Sequence, residues 1–114
     1  MTRFKAGDVV RVHFPHVETN VRRYRPALVV THEPIGPDGL LIWVAMITNA
    51  QRKRWPGDIL VEDHRTAGLP IPSIVRTAKL ATLEAVSAEP LGRLSAAEIV
   101  AVRRELAAHL GLGT

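Results

Sequence analysis

The chain contains no cysteine, and this absence excludes two classes of structure. Disulfide scaffolds and thiolate metal sites both require cysteine, so neither is available, while a reducing compartment is permitted. His13 and His16 form a His-x-x-His pair. No third ligand is evident beside them, and their strand-to-proline context does not match zinc spacing. We therefore expect neither a metal nor a cofactor.

Long hydrophobic segments are absent as well. The longest apolar run covers residues 40–47, whereas a membrane-spanning helix needs about 20 apolar residues. Residues 1–10 contain no apolar segment of the kind found in secretory signals. We also find no repeat and no low-complexity segment. The sequence thus predicts one soluble, cytoplasmic domain over residues 1–114, with no membrane partner.

Positive charge exceeds negative charge in this chain. There are 15 Lys and Arg residues against 11 Asp and Glu residues, which gives a formal net charge of +4. The surplus favours an acidic partner, either a nucleic acid or an acidic protein. The remaining composition, 46% hydrophobic and 23% charged, is typical of a globular protein with a single core.

Short apolar segments separated by glycine and proline predict a mainly β fold. Residues 40–48 are nearly all apolar, which indicates a central strand. The predicted strands are residues 9–14, 27–31, 40–48, 58–61 and 73–76, with residues 80–83 as a candidate for one more. Many short strands of this kind favour a small barrel or a sandwich.

The hydrophobic period changes near the C-terminus, where a helix is predicted. Ser95 and Glu98 have the spacing of a capping box, and Leu94 and Ile99 occupy the hydrophobic staple positions. Gly111 suits the residue that follows a helix. The apolar residues that share one helical face are Ile99, Val102, Leu106 and Leu110. We expect the helix to cover the barrel or to dock a second subunit.

A basic segment leads directly into an apolar strand at residues 22–31, which read RRYRPALVVT. Pro26 has no N–H to donate to a ladder, so we expect it to open the strand. It also favours extended geometry for Arg25. Arg25 is then held where a flexible loop meets a rigid strand, which suits a catalytic or anion-binding arginine because its charge is already in place.

Four sequence blocks, taken in order along the chain, resemble the MazF/PemK toxin family. They are GDVVRVHFP at residues 7–15, RRYRPALVV at 22–30, AMIT at 45–48 and GLPIPSIVR at 68–76. The resemblance implies a mainly β (α+β) fold, an SH3-like β-barrel of about five to seven short strands with a C-terminal helix. It also implies a homodimer. Members are mostly metal-independent, sequence-specific ribonucleases that cut single-stranded RNA and are silenced by a cognate antitoxin.

The resemblance assigns roles to individual residues. Arg25 matches the family's catalytic arginine, and Thr48 matches its catalytic threonine. Arg76 matches a basic residue of the last block that serves RNA binding or catalysis in some members, and Ser73 lies in the same block as a candidate RNA contact. The loop before Arg25 often carries a histidine or glutamate for proton transfer.

The general base remains open among the residues of that loop. His16 and Glu18 are the candidates, and neither is in clear register with the family pattern. In the PemK branch an aspartate closely follows the arginine that Arg76 matches, whereas this chain has Thr77 and Ala78 there.

Two basic loops are candidates for contact with RNA. The second of them, residues 49–57, reads NAQRKRWPG. Its charged side chains could neutralise phosphates while Trp55 stacks on a base, or the loop could be solvated with Trp55 packed on the barrel. The same two interpretations apply to the first loop, which precedes Arg25 and carries Arg22 and Arg23. The basic residues we expect to contact RNA are Arg22, Arg23, Arg52, Lys53 and Arg54.

Metal-free RNA cleavage lets a ribose 2′-OH attack the adjacent phosphodiester, and negative charge gathers on the nonbridging oxygens. A guanidinium matches that charge, and a hydroxyl supplies a further donor. Arg25 begins one predicted strand and Thr48 ends another. If the two strands are antiparallel neighbours, these side chains meet at one rim, and the catalytic assignment requires that they do.

Three functions are compatible with the sequence. The leading one is a toxin endoribonuclease whose basic groove also accepts an acidic, partly disordered antitoxin segment. A second is a non-enzymatic, CcdB-like inhibitor of gyrase that acts through its C-terminal helix. A third is a nucleic-acid-binding barrel without catalysis, which the missing carboxylate after Arg76 suggests.

Overall fold

The computed structural model describes residues 3–13 and 24–112. Within these residues the elements are the strands β1 (Asp8–His13), β2 (Tyr24–Val29), β3 (Leu41–Asn49), β4 (Asp58–Leu60), β5 (Ser73–Glu84) and β6 (Glu89–Arg93), and the helix α1 (Ala96–Leu110). Short 3-10 turns occupy Pro37–Gly39 and Ala85–Ser87. No helix in this part of the chain is long and apolar enough to cross a membrane.

The strands form one six-stranded antiparallel sheet in the order β4-β5-β3-β2-β1-β6. The predicted mainly β fold with a C-terminal helix is confirmed, and the strand number lies within the predicted range. Among the described residues no pairing joins β4 to β6, so the sheet is not closed. β3 lies between β2 and β5, in agreement with its nearly uniform apolar sequence.

Two hydrophobic cores lie on opposite faces of this sheet. Consecutive residues of a strand point to opposite faces, and Val44 and Ala45 accordingly belong to different cores, as do Ala27 and Leu28. The first core contains Val10, Val12, Ala27, Val29, Ile42 and Val44, and the second contains Val9, Leu28, Ala45, Ile47, Val75 and Val102. Because both faces of the inner strands are covered, these strands are apolar throughout rather than alternating.

Pro26 occupies a different position from the predicted one. It is the third residue of β2 rather than its first, so the expectation that it opens the strand is wrong. Pro26 lies opposite Arg11 of β1, whereas the ladder between β2 and β3 begins only at Ala27. The N-terminal half of β2 is therefore paired on one side, where a missing N–H is tolerated.

β5 and β6 also differ from the sequence prediction. The two short strands expected at residues 73–76 and 80–83 are one strand with an irregularity, because the pair Ala45↔Leu80 is followed directly by Met46↔Arg76. β6 was not predicted, since its sequence EPLGR has low strand propensity. Gly92 of β6 is needed at a backbone crossing, where a Cβ atom would lie 2.4 Å from the carbonyl oxygen of Ala67.

The helix α1 begins and ends where its sequence predicts. The Ser95 hydroxyl accepts a hydrogen bond from the Glu98 N–H at 3.2 Å, and Glu98 Oε1 accepts one from the Ser95 N–H at 2.9 Å. Gly111 follows in the left-handed conformation with φ of 70°. Val102 is buried on the predicted face, but Leu110 is 68% exposed, so the predicted apolar face ends before the last residue of the helix.

Glu98 also joins the helix to the segment after β4. Its second carboxylate oxygen accepts a hydrogen bond of 2.7 Å from the N–H of Glu62. The residue is only 8% exposed. One carboxylate therefore accepts hydrogen bonds from two backbone N–H groups, one 3 residues away in the chain and the other 36 residues away. Water has little access to this place, so both groups depend on Glu98 for a partner.

We expect Glu98→Ala to lower the free energy of unfolding by about 2 kcal/mol, because the capping box is lost and two backbone N–H groups lose their acceptor. Urea denaturation monitored by circular dichroism measures this change. The matched control is Arg104→Ala, an exposed position on the same helix, which should change the value by less than about 0.5 kcal/mol. Equal midpoints for both variants would contradict the role of Glu98.

Candidate functional site

The ends of four strands meet at one end of the sheet. β1 ends there at His13, β2 begins at Tyr24 and β3 ends at Asn49, because these neighbours run antiparallel. Ser73 at the start of β5 lies opposite Asn49. Residues 49–57, which we call the basic loop, leave the sheet at the same end. Side chains distant in the sequence thus reach a common surface.

Arg25 lies near the start of β2 and Thr48 near the end of β3, at the same end of the sheet. The ladder between β2 and β3 begins with the pair Ala27↔Met46, and its register, extended by two residues beyond the observed pairs, would align Arg25 with Thr48. Ala27 and Met46 both pack in the first core, so the period of two also assigns Arg25 and Thr48 to that face. Both residues are half-buried.

Arg76 lies on the same face, on the other side of β3. It pairs with Met46, one row from the level of Thr48. Its guanidinium donates from Nε to Asp58 Oδ1 at 3.2 Å and from Nη2 to Asp58 Oδ2 at 3.0 Å. Nη2 also donates to the carbonyl oxygen of Lys53 at 2.8 Å. The side chains of Arg76 and Asp58 are only 9% and 2% exposed, so this is a buried ion pair.

Trp55 stacks on that ion pair. The Cζ atom of Arg76 lies 4.0 Å from the centroid of the Trp55 ring. The backbone N–H of Trp55 donates to Asp58 Oδ2 at 2.8 Å. Trp55 is nevertheless 43% exposed and belongs to neither hydrophobic core. One side of the indole is therefore covered by Arg76, and much of the ring remains accessible.

The basic side chains of the loop face solvent. Arg52, Lys53 and Arg54 are all exposed. The ion pairs of the described residues involve Arg11, Arg76 and Arg93 and none of these three. Arg52, Lys53 and Arg54 therefore give the loop that follows Thr48 a positive charge. Among the described residues, no carboxylate forms an ion pair with any of the three.

Ser73 is placed differently from the basic residues. It is 3% exposed, and its hydroxyl donates to the carbonyl oxygen of Ile71 at 2.8 Å. Its proton is therefore committed to the backbone. Ser73 supports the start of β5 behind the surface that carries Arg25 and Thr48.

Asp58 is a residue of this surface that the sequence analysis missed. No carboxylate follows Arg76 closely in the sequence. The β4–β5 ladder instead supplies one from 18 positions earlier, because it pairs Asp58 with Arg76. Both carboxylate oxygens accept hydrogen bonds, so Asp58 holds its neighbours rather than offering a free base. In the sequence, Asp58 is visible only as an acidic residue directly after the Trp-Pro-Gly turn. A turn does not determine which strand the next strand pairs with, so the contact with Arg76 could not be predicted.

Thr77 ties the end of the basic loop to the helix. Its hydroxyl donates to the carbonyl oxygen of Gly57 at 2.8 Å and lies 3.0 Å from Nε2 of His109. Because a hydroxyl has one hydrogen, His109 Nε2 must be the donor in the second bond. The loop is thus held at Lys53 and Trp55 by the ion pair and at Gly57 by Thr77.

Four predicted residues, His16, Glu18, Arg22 and Arg23, lie outside the described residues. The proton-transfer candidates and the first basic loop therefore stay predictions. The nearest described residue is Tyr24, which is 52% exposed. The guanidinium carbon of Arg11 lies 4.7 Å from the Tyr24 ring centroid, and the His13 ring meets Tyr24 edge-on at 5.5 Å.

The acidic turn after β4 is separate from this surface. The hydroxyl and the backbone N–H of Thr66 donate to Asp63, and these hydrogen bonds lower the pKa of the Asp63 carboxyl. Residues 3–13 and 24–112 contain no cluster of three or more side chains able to hold a metal ion.

Comparisons with known proteins agree with this geometry. The MazE–MazF complex (Form II) from Deinococcus radiodurans matches with a TM-score of 0.76 and 23% identity, covering 99% of this chain and 100% of that chain. A mycobacterial endoribonuclease in complex with its cognate antitoxin gives 0.74 and 19%, covering 96% and 97%. The Mycobacterium tuberculosis toxin MazF-mt6 gives 0.72 and 21%, covering 94% and 99%. At these identities the similarity establishes the fold.

The family itself is established by the sequence. No curated protein sequence matches the chain. A family model does match, over residues 5–110, and it describes PemK-like, MazF-like toxins of type II toxin-antitoxin systems. The matched range includes both strands that carry Arg25 and Thr48, the basic loop and all of α1. The chain therefore belongs to the MazF/PemK family of type II toxins.

Proposed function

We propose that this protein is a metal-independent endoribonuclease that cleaves single-stranded RNA and acts as the toxin of a type II toxin-antitoxin system. The observation that carries the proposal is that β2 and β3 are antiparallel neighbours whose register, extended by two residues beyond the pair Ala27↔Met46, aligns Arg25 with Thr48. A guanidinium and a hydroxyl on one face of adjacent strands can bind the same phosphodiester. An RNA substrate and a protein antitoxin also suit the expected cytoplasmic location.

The chemistry follows from the charge that develops at phosphorus. The ribose 2′-oxygen forms a bond to phosphorus, the bond to the 5′-oxygen breaks, and the products are a 2′,3′-cyclic phosphate and a 5′-hydroxyl. Arg25 stabilises the negative charge on the nonbridging oxygens, and the Thr48 hydroxyl donates a further hydrogen bond. The 2′-hydroxyl proton passes to a base, for which His16 and Glu18 remain the candidates, and the leaving oxygen takes up a proton.

The basic loop supplies affinity for the RNA chain. Arg52, Lys53 and Arg54 are exposed and lie on the loop that follows Thr48. Charges of this kind release counterions from the phosphate backbone, so binding depends steeply on salt. They also favour an acidic antitoxin segment on the same surface. The solved complexes with MazE and with a cognate mycobacterial antitoxin support an antitoxin partner for this chain.

A second candidate function is RNA binding without cleavage. It is favoured by one observation, which is that Asp58, the carboxylate beside Arg76, accepts three hydrogen bonds and has a side chain that is only 2% exposed, so it is poorly placed to take a proton from RNA. Salt-dependent binding of RNA that stays intact would select this function. Intact RNA together with inhibited supercoiling would instead select a CcdB-like gyrase inhibitor.

We also propose a homodimer formed through an apolar groove between the sheet and the end of α1. The groove has a volume of about 470 Å³. Its large apolar residues are Trp43, Leu80, Leu110 and Leu112, which are 46%, 49%, 68% and 74% exposed. Apolar side chains grouped in this way are typical of an interface. A second copy of the chain would remove them from water.

We expect Arg25→Ala to lower the rate of RNA cleavage by about 100-fold or more, because one donor to the developing charge is lost. Thr48→Val should lower it as well, and Thr48→Ser, which keeps the hydroxyl, should restore most of the rate. Cleavage of a fluorescent single-stranded RNA in the presence of EDTA measures the effect. Arg104→Ala on the far helix serves as the control. Wild-type activity of Arg25→Ala would remove this residue from the mechanism.

RNA and a cognate antitoxin should compete for the protein. Because both are acidic and meet the same basic loop, the antitoxin's association rate should fall as salt rises. Stopped-flow binding at several salt concentrations, with and without a noncleavable RNA, measures both effects. Simultaneous binding of the two ligands with no salt dependence would show that the antitoxin uses another surface.

We expect Leu110→Lys to shift the protein from dimer to monomer, because a charge would be placed in the apolar groove. Analytical ultracentrifugation measures the oligomeric state. Val100→Lys is the matched control, since Val100 is 51% exposed on the same helix and does not line the groove. A Leu110→Lys protein that remains dimeric would place the interface elsewhere.

A further inference from the structure

We propose that Asp58 and Arg76 are positioning residues that fix Trp55 as a stacking platform for one base of the RNA, and that Arg76 makes no contact with phosphate. The inference rests on the proposed RNA substrate and deepens it. It changes the role expected for Arg76, from a direct RNA contact to a residue that acts through Trp55.

The first argument is that three of the five N–H donors of the Arg76 guanidinium are already used. Nε and Nη2 make three hydrogen bonds, two to the Asp58 carboxylate and one to the Lys53 carbonyl. The guanidinium charge is neutralised by a carboxylate with a side chain that is 2% exposed. Only the two N–H groups of Nη1 are left for a phosphate, on a side chain that is 9% exposed, and any phosphate contact that replaced Asp58 would leave a buried carboxylate unpaired.

The second argument is that the ion pair fixes the basic loop at three points. Arg76 holds the carbonyl of Lys53, Asp58 holds the N–H of Trp55, and the guanidinium carbon lies 4.0 Å from the centroid of the indole ring. A planar guanidinium stacked on an aromatic ring is a favourable arrangement. The indole therefore has a defined orientation before any ligand arrives, which lowers the entropic cost of binding.

The third argument concerns the exposure of Trp55. A tryptophan that served packing alone would be expected in a core, yet Trp55 is 43% exposed and lies outside both hydrophobic cores. Exposed Arg52 and Arg54 precede it on the same loop and can follow the phosphates of a strand whose base rests on the ring. Stacked bases and a positive groove are the usual means of holding single-stranded nucleic acid.

Tryptophan fluorescence tests the platform directly, because the chain has only two tryptophans. The Trp43→Phe protein reports Trp55 alone, and the Trp55→Phe protein reports Trp43 alone. Each is titrated with a short RNA pool of randomised sequence that carries 2′-O-methyl groups and cannot be cleaved. We expect quenching of Trp55 emission and little change for Trp43. Absence of quenching in Trp43→Phe, at RNA concentrations where an independent assay shows binding, would overturn the proposal.

Affinity for the same RNA pool tests the positioning role. Trp55→Ala should weaken binding by roughly 5- to 150-fold, the range of one base stacked on an aromatic side chain. Trp55→Phe should recover part of the loss. Asp58→Asn should weaken binding in the wild-type protein but have little further effect in Trp55→Ala, because it acts through the indole. Additive effects of the two substitutions would contradict that coupling.

Salt dependence separates the two roles of Arg76. Arg76→Lys keeps the positive charge but loses the two-pronged hydrogen bond and the flat stacking surface. The proposal predicts weaker binding with an unchanged slope of affinity against salt, whereas Arg54→Ala should reduce the slope by about one. Near-wild-type binding by Arg76→Lys would restore Arg76 as a phosphate contact. If Asp58→Asn does not fold, Arg76→Lys replaces it in the double-mutant comparison.

These measurements are independent of cleavage. An Arg25→Ala protein that binds and quenches without cutting RNA would leave the platform intact. RNA cleavage by a protein with no Trp55 quenching would retain the nuclease and remove the platform.

Discussion

The register of β3 between β2 and β5 is the constraint on which the candidate site depends. Opposed residues of an antiparallel ladder share a face, so the pairs Ala27↔Met46 and Met46↔Arg76 determine which side chains meet at the end of the sheet. A slip of one residue would turn Thr48 to the opposite face. Two cores oppose such a slip, because Val44 and Ala45 are both buried and each fills a different side of the sheet.

Charge is distributed between two different tasks at this end of the molecule. The Arg76–Asp58 ion pair is buried and holds the basic loop in place. The charges of Arg52, Lys53 and Arg54 are exposed to solvent instead. A buried pair contributes little net stability, since desolvation offsets much of its attraction, but it selects one geometry when its remaining donors are satisfied. In this protein one of the remaining Arg76 donors bonds to the loop itself, at the Lys53 carbonyl. The surface charges are then presented from a defined backbone.

The parts of the fold that follow from local rules were predictable from the sequence. Ser95, Glu98 and Gly111 specify both ends of α1 through backbone groups within one turn, and the apolar segments of β2 and β3 reflect burial on both faces. The parts that were missed depend on which strand lies beside which. Pro26 inside β2 is acceptable only because the β3 ladder starts at Ala27, and the pairing of Asp58 with Arg76 exists only because β4 lies on β5. Neither neighbour is encoded near the residue it affects.

The open sheet leaves two outer strands, and their composition determines how the protein behaves at high concentration. β4 has only three residues, and β6 carries Glu89, Pro90 and Arg93. A short strand offers few free backbone groups, and a proline with flanking charges is a poor template for a strand from another molecule. The chain can therefore leave its sheet unclosed and still resist edge-to-edge polymerisation into fibres.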